Sequence, residues 1–151
     1  MEIALQHALL RALKPGDEAS LARNANNPNI ARYLGDRFPS PYTLADAEAY
    51  IAQVSGQDPL QSFAITVEGE TVGGISIEPG ADVYRLSGEI GYWLGEPYWG
   101  RGIVSEAAAA VTDYGFTHLG LNRVFAIIYE GNEASMRVLA KCGFVLEGRR
   151  R

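Results

Sequence analysis

Two glycines flank an arginine at Gly100, Arg101 and Gly102, directly before a long alanine-rich stretch with the composition of a helix. Glycine lets the main chain approach a ligand closely, and the first-turn N–H groups of a helix have no internal hydrogen-bond partners. Those N–H groups also lie at the positive end of the helix dipole. The segment therefore predicts an anion-binding site at the start of this helix.

Two common phosphate-binding loops do not fit this segment. A dinucleotide-binding fingerprint needs a third glycine where Ser105 stands, and it follows the first strand of a sheet. A Walker loop ends in Gly-Lys-Ser or Gly-Lys-Thr, which the sequence lacks. A nucleotide phosphate held by the same glycines in another way is left open at this point.

The composition is that of an acidic globular protein. The 151 residues are 47% hydrophobic, and we expect a single domain over residues 1–151. A net charge of −5 argues against a nucleic-acid partner. The lone Cys142 excludes an internal disulfide, and the cysteine and histidine spacing fits no zinc site. Without a signal leader or a long apolar run, we expect a soluble, cytoplasmic protein that binds neither metal nor membrane.

Hydrophobic periodicity predicts the elements that position the loop. Thr43 is the predicted N-cap of an early helix, and Asn132 that of a late one. The predicted elements are, in chain order, a strand at 8–13, helices near 18–24 and 44–54, three β-rich segments between 61 and 94 with a hairpin at 68–70, a helix from 103 to 118, a buried strand at 122–129, a helix after 132 and a strand starting at 144. This order indicates an α+β fold with one parallel crossover.

The sequence resembles the GNAT superfamily of N-acetyltransferases, and within it the ribosomal-protein N-terminal acetyltransferases. The resemblance rests on "GEIGYWL", "PYWGRGIVSEAAAA" and "LGLNRVFAIIYEGNEASMRVLAKCGFVLEG", in that order. It implies a mixed, mostly antiparallel central sheet flanked by helices, with a V-shaped splay between two parallel strands. Relatives have one further strand beyond "FVLEG", so we expect the last strand to be missing from this chain, or its place in the sheet to be filled by another segment.

The resemblance also implies that the anion is acetyl-CoA. Its pyrophosphate would rest on the glycine loop, which departs from the family pattern at Trp99 and Val104. Its pantetheine arm would pair with the strand edge at Tyr92, Trp93 and Leu94. The complete set of expected cofactor-binding residues is Tyr92, Trp93, Leu94, Trp99, Gly100, Arg101, Gly102, Ile103, Val104, Ser105, Asn132 and Ser135.

The implied reaction is acetyl transfer from a thioester to a primary amine. An amine near pH 7 is mostly protonated, so a base must remove a proton before attack. The resemblance assigns that role to Glu89, which could instead be a solvent-facing residue or pair with Arg85. The N–H of Leu94 is the expected oxyanion donor. The family's tyrosine acid would fall at Leu139, so Ser135 is the expected hydrogen-bond donor to the leaving thiolate, or else a helix-capping serine.

The expected acceptor is a peptide N-terminus or a small amine, with direct attack in a ternary complex. The residues expected to form the walls of its pocket are Tyr33, Phe38 and Tyr42. A nucleophilic Cys142 would permit a ping-pong reaction instead, and His118 is expected to pack in the core. The alternative to an enzyme is a non-catalytic acyl-CoA-binding or regulatory domain, and a homodimer is left open.

Overall fold

The computed structural model describes residues 1–34, 38–129 and 131–148. Two single-turn 3₁₀ helices lie at Asp82–Tyr84 and Glu96–Tyr98. The remaining elements, in chain order, are β1 (Glu2–Ala4), β2 (Leu9–Arg11), α1 (Glu18–Ala25), α2 (Pro28–Ala31), α3 (Leu44–Val54), β3 (Ser62–Val67), β4 (Glu70–Pro79), β5 (Ser87–Leu94), α4 (Ile103–His118), β6 (Arg123–Phe125) and α5 (Glu133–Lys141).

The strands form one sheet in the order β1-β2-β3-β4-β5-β6. The pairs from β1 to β5 are antiparallel, and β5 and β6 are parallel. The β5–β6 pairing ends where Glu89 meets Phe125, whereas β5 continues to Leu94. The two strands therefore diverge beyond Glu89, which confirms the predicted α+β fold with its mostly antiparallel sheet and its splayed parallel pair.

Local hydrogen bonds explain where two helices begin. The Thr43 hydroxyl accepts the N–H of Asp46 at 3.2 Å, and the Asp46 carboxylate accepts the N–H of Thr43 at 2.8 Å. This reciprocal capping box satisfies two otherwise free donors at the start of α3. At α5, the Asn132 side chain accepts the N–H of Ser135 at 3.3 Å. Both predicted N-caps are confirmed.

Each face of the sheet carries a hydrophobic cluster. On one face α4 packs on the central strands, burying Phe63 and Val111. Gly88 and Gly115 make that approach possible, because a Cβ on either one would come within 2.5 Å of a neighbouring apolar side chain. On the other face α1 and α3 pack on the sheet, with Leu21 at their centre. The sheet is therefore fixed from both sides, and β5 is held rigidly at the splay.

A buried ion pair ties β2 to the start of α1. The Arg11 guanidinium donates to both carboxylate oxygens of Asp17 at 2.8 Å, and the Lys14 N–H donates to the same carboxylate at 2.9 Å. Burial by itself would raise the pKa of Asp17, but the hydrogen bonds from Arg11 and Lys14 outweigh it and lower that pKa. The hydrogen bond to Asp17 in turn raises the pKa of Arg11. The carboxylate is thus held in its charged form.

The structure differs from the sequence prediction near both ends. The predicted first strand is shorter and pairs with an unpredicted β1. The predicted strand over 122–129 is regular only at Arg123–Phe125, and residues 144–148 form no strand in the described part. Ile127 and Tyr129 are 44% and 48% exposed, because no further described strand covers them. The expectation of burial on both faces was therefore wrong here.

Another core prediction was also wrong. His118 is exposed, although its ring stacks on that of Tyr114 with the centroids 4.9 Å apart. It lies in the last turn of α4. Within the described residues, no helix is long and apolar enough to cross a bilayer.

Candidate active site

An open cleft of about 500 Å³ lies where β5 and β6 diverge. Every residue expected to bind the cofactor lines it, including Asn132 and Ser135 on the far wall. Sequence reasoning missed the other lining residues, which are Asn29, Ile30, Leu34, Tyr98, Ala134, Arg137, Val138 and Lys141. A signal for part of this set was present in the sequence. The helical spacing of i, i+4 and i+7 predicts that Ala134, Val138 and Lys141 share one face of the helix. The α2 residues carry no such signal.

The glycine loop leaves space at the start of α4. Gly100 and Gly102 have φ values of 78° and 79°, in the left-handed region that favours glycine. A Cβ built on either residue would meet no atom within 4 Å. The first backbone hydrogen bond of α4 runs from the Glu106 N–H to the Gly102 carbonyl at 3.1 Å, so the N–H groups before it point out of the helix end. The residues present therefore fit a pyrophosphate.

The peptide groups of β5 alternate between β4 and the splay. The Gly95 N–H donates to the Val72 carbonyl at 2.7 Å, so in this antiparallel pair the odd-numbered residues hydrogen-bond to β4. The peptide groups of Tyr92 and Leu94 consequently face the splay, as the expected pairing with a pantetheine arm requires. The peptide group of Trp93 faces β4 instead, which corrects the expectation that its main chain would pair with that arm.

Trp99 and Arg101 hold the loop in place. The Trp99 indole N–H donates to the Leu94 carbonyl at 2.7 Å, which leaves the Leu94 N–H and the Tyr92 peptide as the groups directed into the splay. The Arg101 guanidinium donates to the Pro97 carbonyl at 3.2 Å and lies 5.3 Å from the centre of the Tyr98 ring. The guanidinium of Arg101 therefore stabilises its own loop.

Two hydroxyl groups meet on the wall between β5 and α5. The Tyr92 and Ser135 oxygens lie 2.9 Å apart. Burial raises the pKa of Tyr92, against the opposing effect of the hydrogen bond to Ser135, so the phenol stays protonated near neutral pH. Either hydroxyl can donate in this pair, and the Tyr92 hydroxyl also lies 3.5 Å from the Ser135 carbonyl oxygen. Leu139, at the position of the family's tyrosine, is buried.

Cys142 is a poor nucleophile in this structure. Its thiol donates to the Ser105 carbonyl at 3.5 Å, and it is only partly exposed. Burial raises the pKa of Cys142, which lowers the thiolate fraction that a ping-pong reaction would require.

Glu89 lies on β5, exposed, and outside the lining of the cleft. It is directly opposite Glu78 of β4, and the alternation along the strand places it on the same face as Trp93. The Arg85 guanidinium donates to the Asp82 carbonyl at 3.2 Å, and no ion pair between Arg85 and Glu89 forms among the described residues. The Glu89 carboxylate is therefore available on this face of the sheet.

The three residues expected to form the walls of the acceptor pocket lie in different surroundings in the structure. Tyr33 lines the cleft. Phe38 packs between Tyr42 and Trp93, with ring centroids 5.2 and 6.0 Å away. Tyr42 is only 7% exposed and belongs to the α1–α3 cluster, and burial raises its pKa to about 12. Tyr42 is therefore a core residue, not a wall of the acceptor pocket, and Phe38 supports Trp93 from behind.

Comparisons with known proteins agree with this geometry. Residues 7–145 match the acetyltransferase (GNAT) domain family. An uncharacterised N-acetyltransferase, p20 of Bacillus licheniformis, is 31% identical over 92% of this chain and 79% of its own length. The ribosomal-protein-S5-alanine acetyltransferase of Vibrio fischeri superposes with a TM-score of 0.84 at 26% identity, over 98% of this chain and 85% of that one.

A second similar structure was solved with a form of CoA bound. Mycobacterium smegmatis RimJ in complex with CoA-disulfide superposes with a TM-score of 0.81 at 26% identity, over 93% of this chain and 71% of that one. Among the described residues of the present chain, no cluster of three or more His, Cys, Asp or Glu side chains could hold a metal ion.

The family match covers nearly the whole chain, and the chain accordingly belongs to the GNAT family and is an N-acetyltransferase.

Proposed function

We propose that this N-acetyltransferase moves the acetyl group of acetyl-CoA directly to a primary amine in a ternary complex. One observation carries the choice of donor. The bare glycine loop and the outward-facing peptide groups of Tyr92 and Leu94 lie along a single cleft. The loop suits a pyrophosphate, and the strand edge suits the amides of a pantetheine arm. The bound donor supplies an activated thioester.

The acceptor we propose is the α-amino group of a peptide, with a small amine as the second candidate. The similarity to a ribosomal-protein-S5-alanine acetyltransferase supports the first. The cleft is open and is lined near Tyr33 by residues from α2 and the segment after it, which can admit a chain end.

Three groups of the protein act in the proposed acetyl transfer, each at a different step. Glu89 accepts a proton from the acceptor ammonium, directly or through water. The Leu94 N–H faces the splay, where it stabilises negative charge on the carbonyl oxygen under attack. The Ser135 hydroxyl donates a hydrogen bond to the leaving sulfur, and Tyr92 orients that hydroxyl from behind. The raised pKa of Cys142 favours direct attack over a covalent protein intermediate.

Acetyl-CoA is expected to raise the melting temperature much more than NAD or ATP. At about 100 times Kd the shift should be roughly 5–10 °C, since binding to the folded state alone adds about 2.7 kcal/mol. NAD and ATP offer phosphates to the loop but nothing to the β5 edge, so their shifts should be small. Differential scanning fluorimetry measures this directly, and equal shifts from all three ligands would contradict the proposed donor.

Gly102→Val is expected to weaken acetyl-CoA binding by roughly 10–100-fold, because a branched side chain would occupy the space left for the pyrophosphate. A side chain at φ 79° also strains the backbone, by about 1–2 kcal/mol. Gly120→Val is the matched control, since Gly120 has φ 67°, open space around it and no place in the cleft. Calorimetry should show that the affinity for acetyl-CoA falls in Gly102→Val and stays at the wild-type value in Gly120→Val. Similar affinities for the two variants would mean that the loop is merely structural.

A further inference from the structure

Neither backbone conformation nor packing requires a glycine at Gly91, in the middle of β5. Its φ lies outside the left-handed region that favours glycine. Among the described residues, a Cβ built on Gly91 would meet one atom within 4 Å, the Ser76 hydroxyl oxygen at 3.9 Å, which is an ordinary contact. By contrast, a Cβ on Gly88 of the same strand would lie 2.5 Å from a side-chain carbon of Leu121. Because glycine inside a strand is less stable than alanine, Gly91 calls for a reason outside the fold.

Gly91 lies on an open face of the sheet between Glu89 and Trp93. It is exposed, and side chains alternate along a strand, so residues 89, 91 and 93 share one face. On β4, Ser76 is directly opposite Gly91, and Gly74 is directly opposite Trp93. Successive positions on this face are about 7 Å apart along the strand. Gly91 therefore leaves a gap between the Glu89 carboxylate and the Trp93 indole.

The Trp93 indole forms a fixed wall at one end of this gap. A Cβ built on Gly74 would come within 2.8 Å of the indole nitrogen, so the ring lies directly over Gly74. Phe38 packs edge-on against the indole, with ring centroids 6.0 Å apart, and is itself 5.2 Å from the ring of the buried Tyr42. Moving the indole aside would therefore disturb the α1–α3 cluster.

The proposed reaction requires the acceptor amine to reach two groups of β5. Its nitrogen attacks the thioester carbon at the splay, where the Leu94 N–H faces the carbonyl oxygen, and its proton passes to Glu89. Gly91 lies between these two positions along the strand. An amine that approaches the main chain at Gly91 occupies the space that a Cβ would otherwise fill.

We propose that Gly91 and Trp93 determine which amines the protein accepts. The bare main chain at Gly91 admits the amine and the carbon that bears it, and the Trp93 indole limits the size of the substituent on that carbon. The accepted class is a primary amine on a carbon with no substituent or a small one, such as a chain end with glycine, alanine or serine, or a straight-chain amine. This inference rests on the proposed acetyl transfer to an amine.

The first test is Gly91→Ala, with Gly148→Ala as its control. Gly148 also has an ordinary φ and open space around it, and it lies outside both β5 and the cleft. The measurements are the melting temperature, calorimetry with acetyl-CoA, and release of CoA thiol. The acceptors are two peptides of identical sequence except for a first residue that is alanine in one and leucine in the other.

Gly91→Ala is expected to retain or raise the melting temperature, since alanine is the better strand residue, and to bind acetyl-CoA within about twofold of the wild type. Its kcat/KM for the alanine peptide should fall by roughly 10–100-fold, because a methyl group displaces the amine from its attacking position. Gly148→Ala should behave as the wild type. A melting temperature well below that of the control, or full activity in Gly91→Ala, would overturn the role of Gly91.

Trp93→Leu tests the wall separately. The wild type should prefer the alanine peptide to the leucine peptide by about tenfold or more, and the variant should reduce this preference to about threefold or less. A wild type without the preference, or a variant that keeps it in full, would overturn the size limit and leave the proposed acetyl transfer intact. A wild type that acetylates neither peptide nor a short polyamine would overturn both.

Discussion

Glu89→Gln is expected to lower turnover by roughly 10²–10⁴ while the affinity for acetyl-CoA stays at the wild-type value. Glutamine keeps the size and the hydrogen bonding of the side chain but cannot accept a proton. Glu89 lies outside the lining of the cleft, so the donor should bind as before. The measurement is release of free CoA thiol with an acceptor chosen from peptides beginning with alanine or serine and from short polyamines, alongside calorimetry with acetyl-CoA.

The control for this variant is Glu78→Gln, directly opposite on β4. It makes the same chemical change to another exposed carboxylate on the same face, so general damage to this surface would affect both variants alike. The defect at Glu89 should also shrink as the pH rises, because the acceptor amine then loses its proton without help. Full activity in Glu89→Gln, or an equal loss in Glu78→Gln, would remove Glu89 from the mechanism.

Asp17→Asn is expected to lower the free energy of unfolding by about 3 kcal/mol near pH 7. The change leaves the Arg11 guanidinium, only 12% exposed in the side chain, without its counter-charge. Urea denaturation measures the loss. Glu70→Gln is the control, because Glu70 pairs with Arg23 where both side chains are more than half exposed, and it should cost less than about 1 kcal/mol.

The contribution of Asp17 to the free energy of unfolding changes with pH in a direction that follows from its lowered pKa. The pKa of Asp17 is lower in the folded state than its ordinary value of about 3.9, so its contribution is fully present above that value. It is lost as the pH falls through the folded-state pKa. The difference in stability between wild type and Asp17→Asn should therefore be constant between about pH 7 and about pH 5 and narrow below about pH 4. A difference that persists unchanged in acid would show that the charge of Asp17 is not its origin.

The features that the sequence predicted well have local causes. The glycine loop, the capping box at Thr43 and the Asn132 cap each depend on a few neighbouring residues, whose conformational and hydrogen-bonding preferences act wherever the segment lies. The order of elements followed from periodicity, which is also local. The family resemblance then supplied the splay, which the pairing of β5 with β6 confirms.

The features that the sequence did not predict depend on register and packing. A shift of one residue decides whether the peptide group of Trp93 or that of Tyr92 faces the splay. Tyr42 is buried only because α1 and α3 meet over it. The apolar run after Phe125 is exposed because its burial would require a neighbouring strand, which the described residues do not provide. None of these facts is contained in a short stretch of residues.

The chain has two tryptophans, and both line the same cleft. Trp99 holds the end of β5 through its indole N–H, and Trp93, which belongs to β5, packs on Phe38. All indole fluorescence of the unlabelled protein therefore originates at the walls of this site, with no background from another indole. The molecule has a built-in optical reporter, so occupancy of the cleft can be followed by intrinsic emission without attaching a dye.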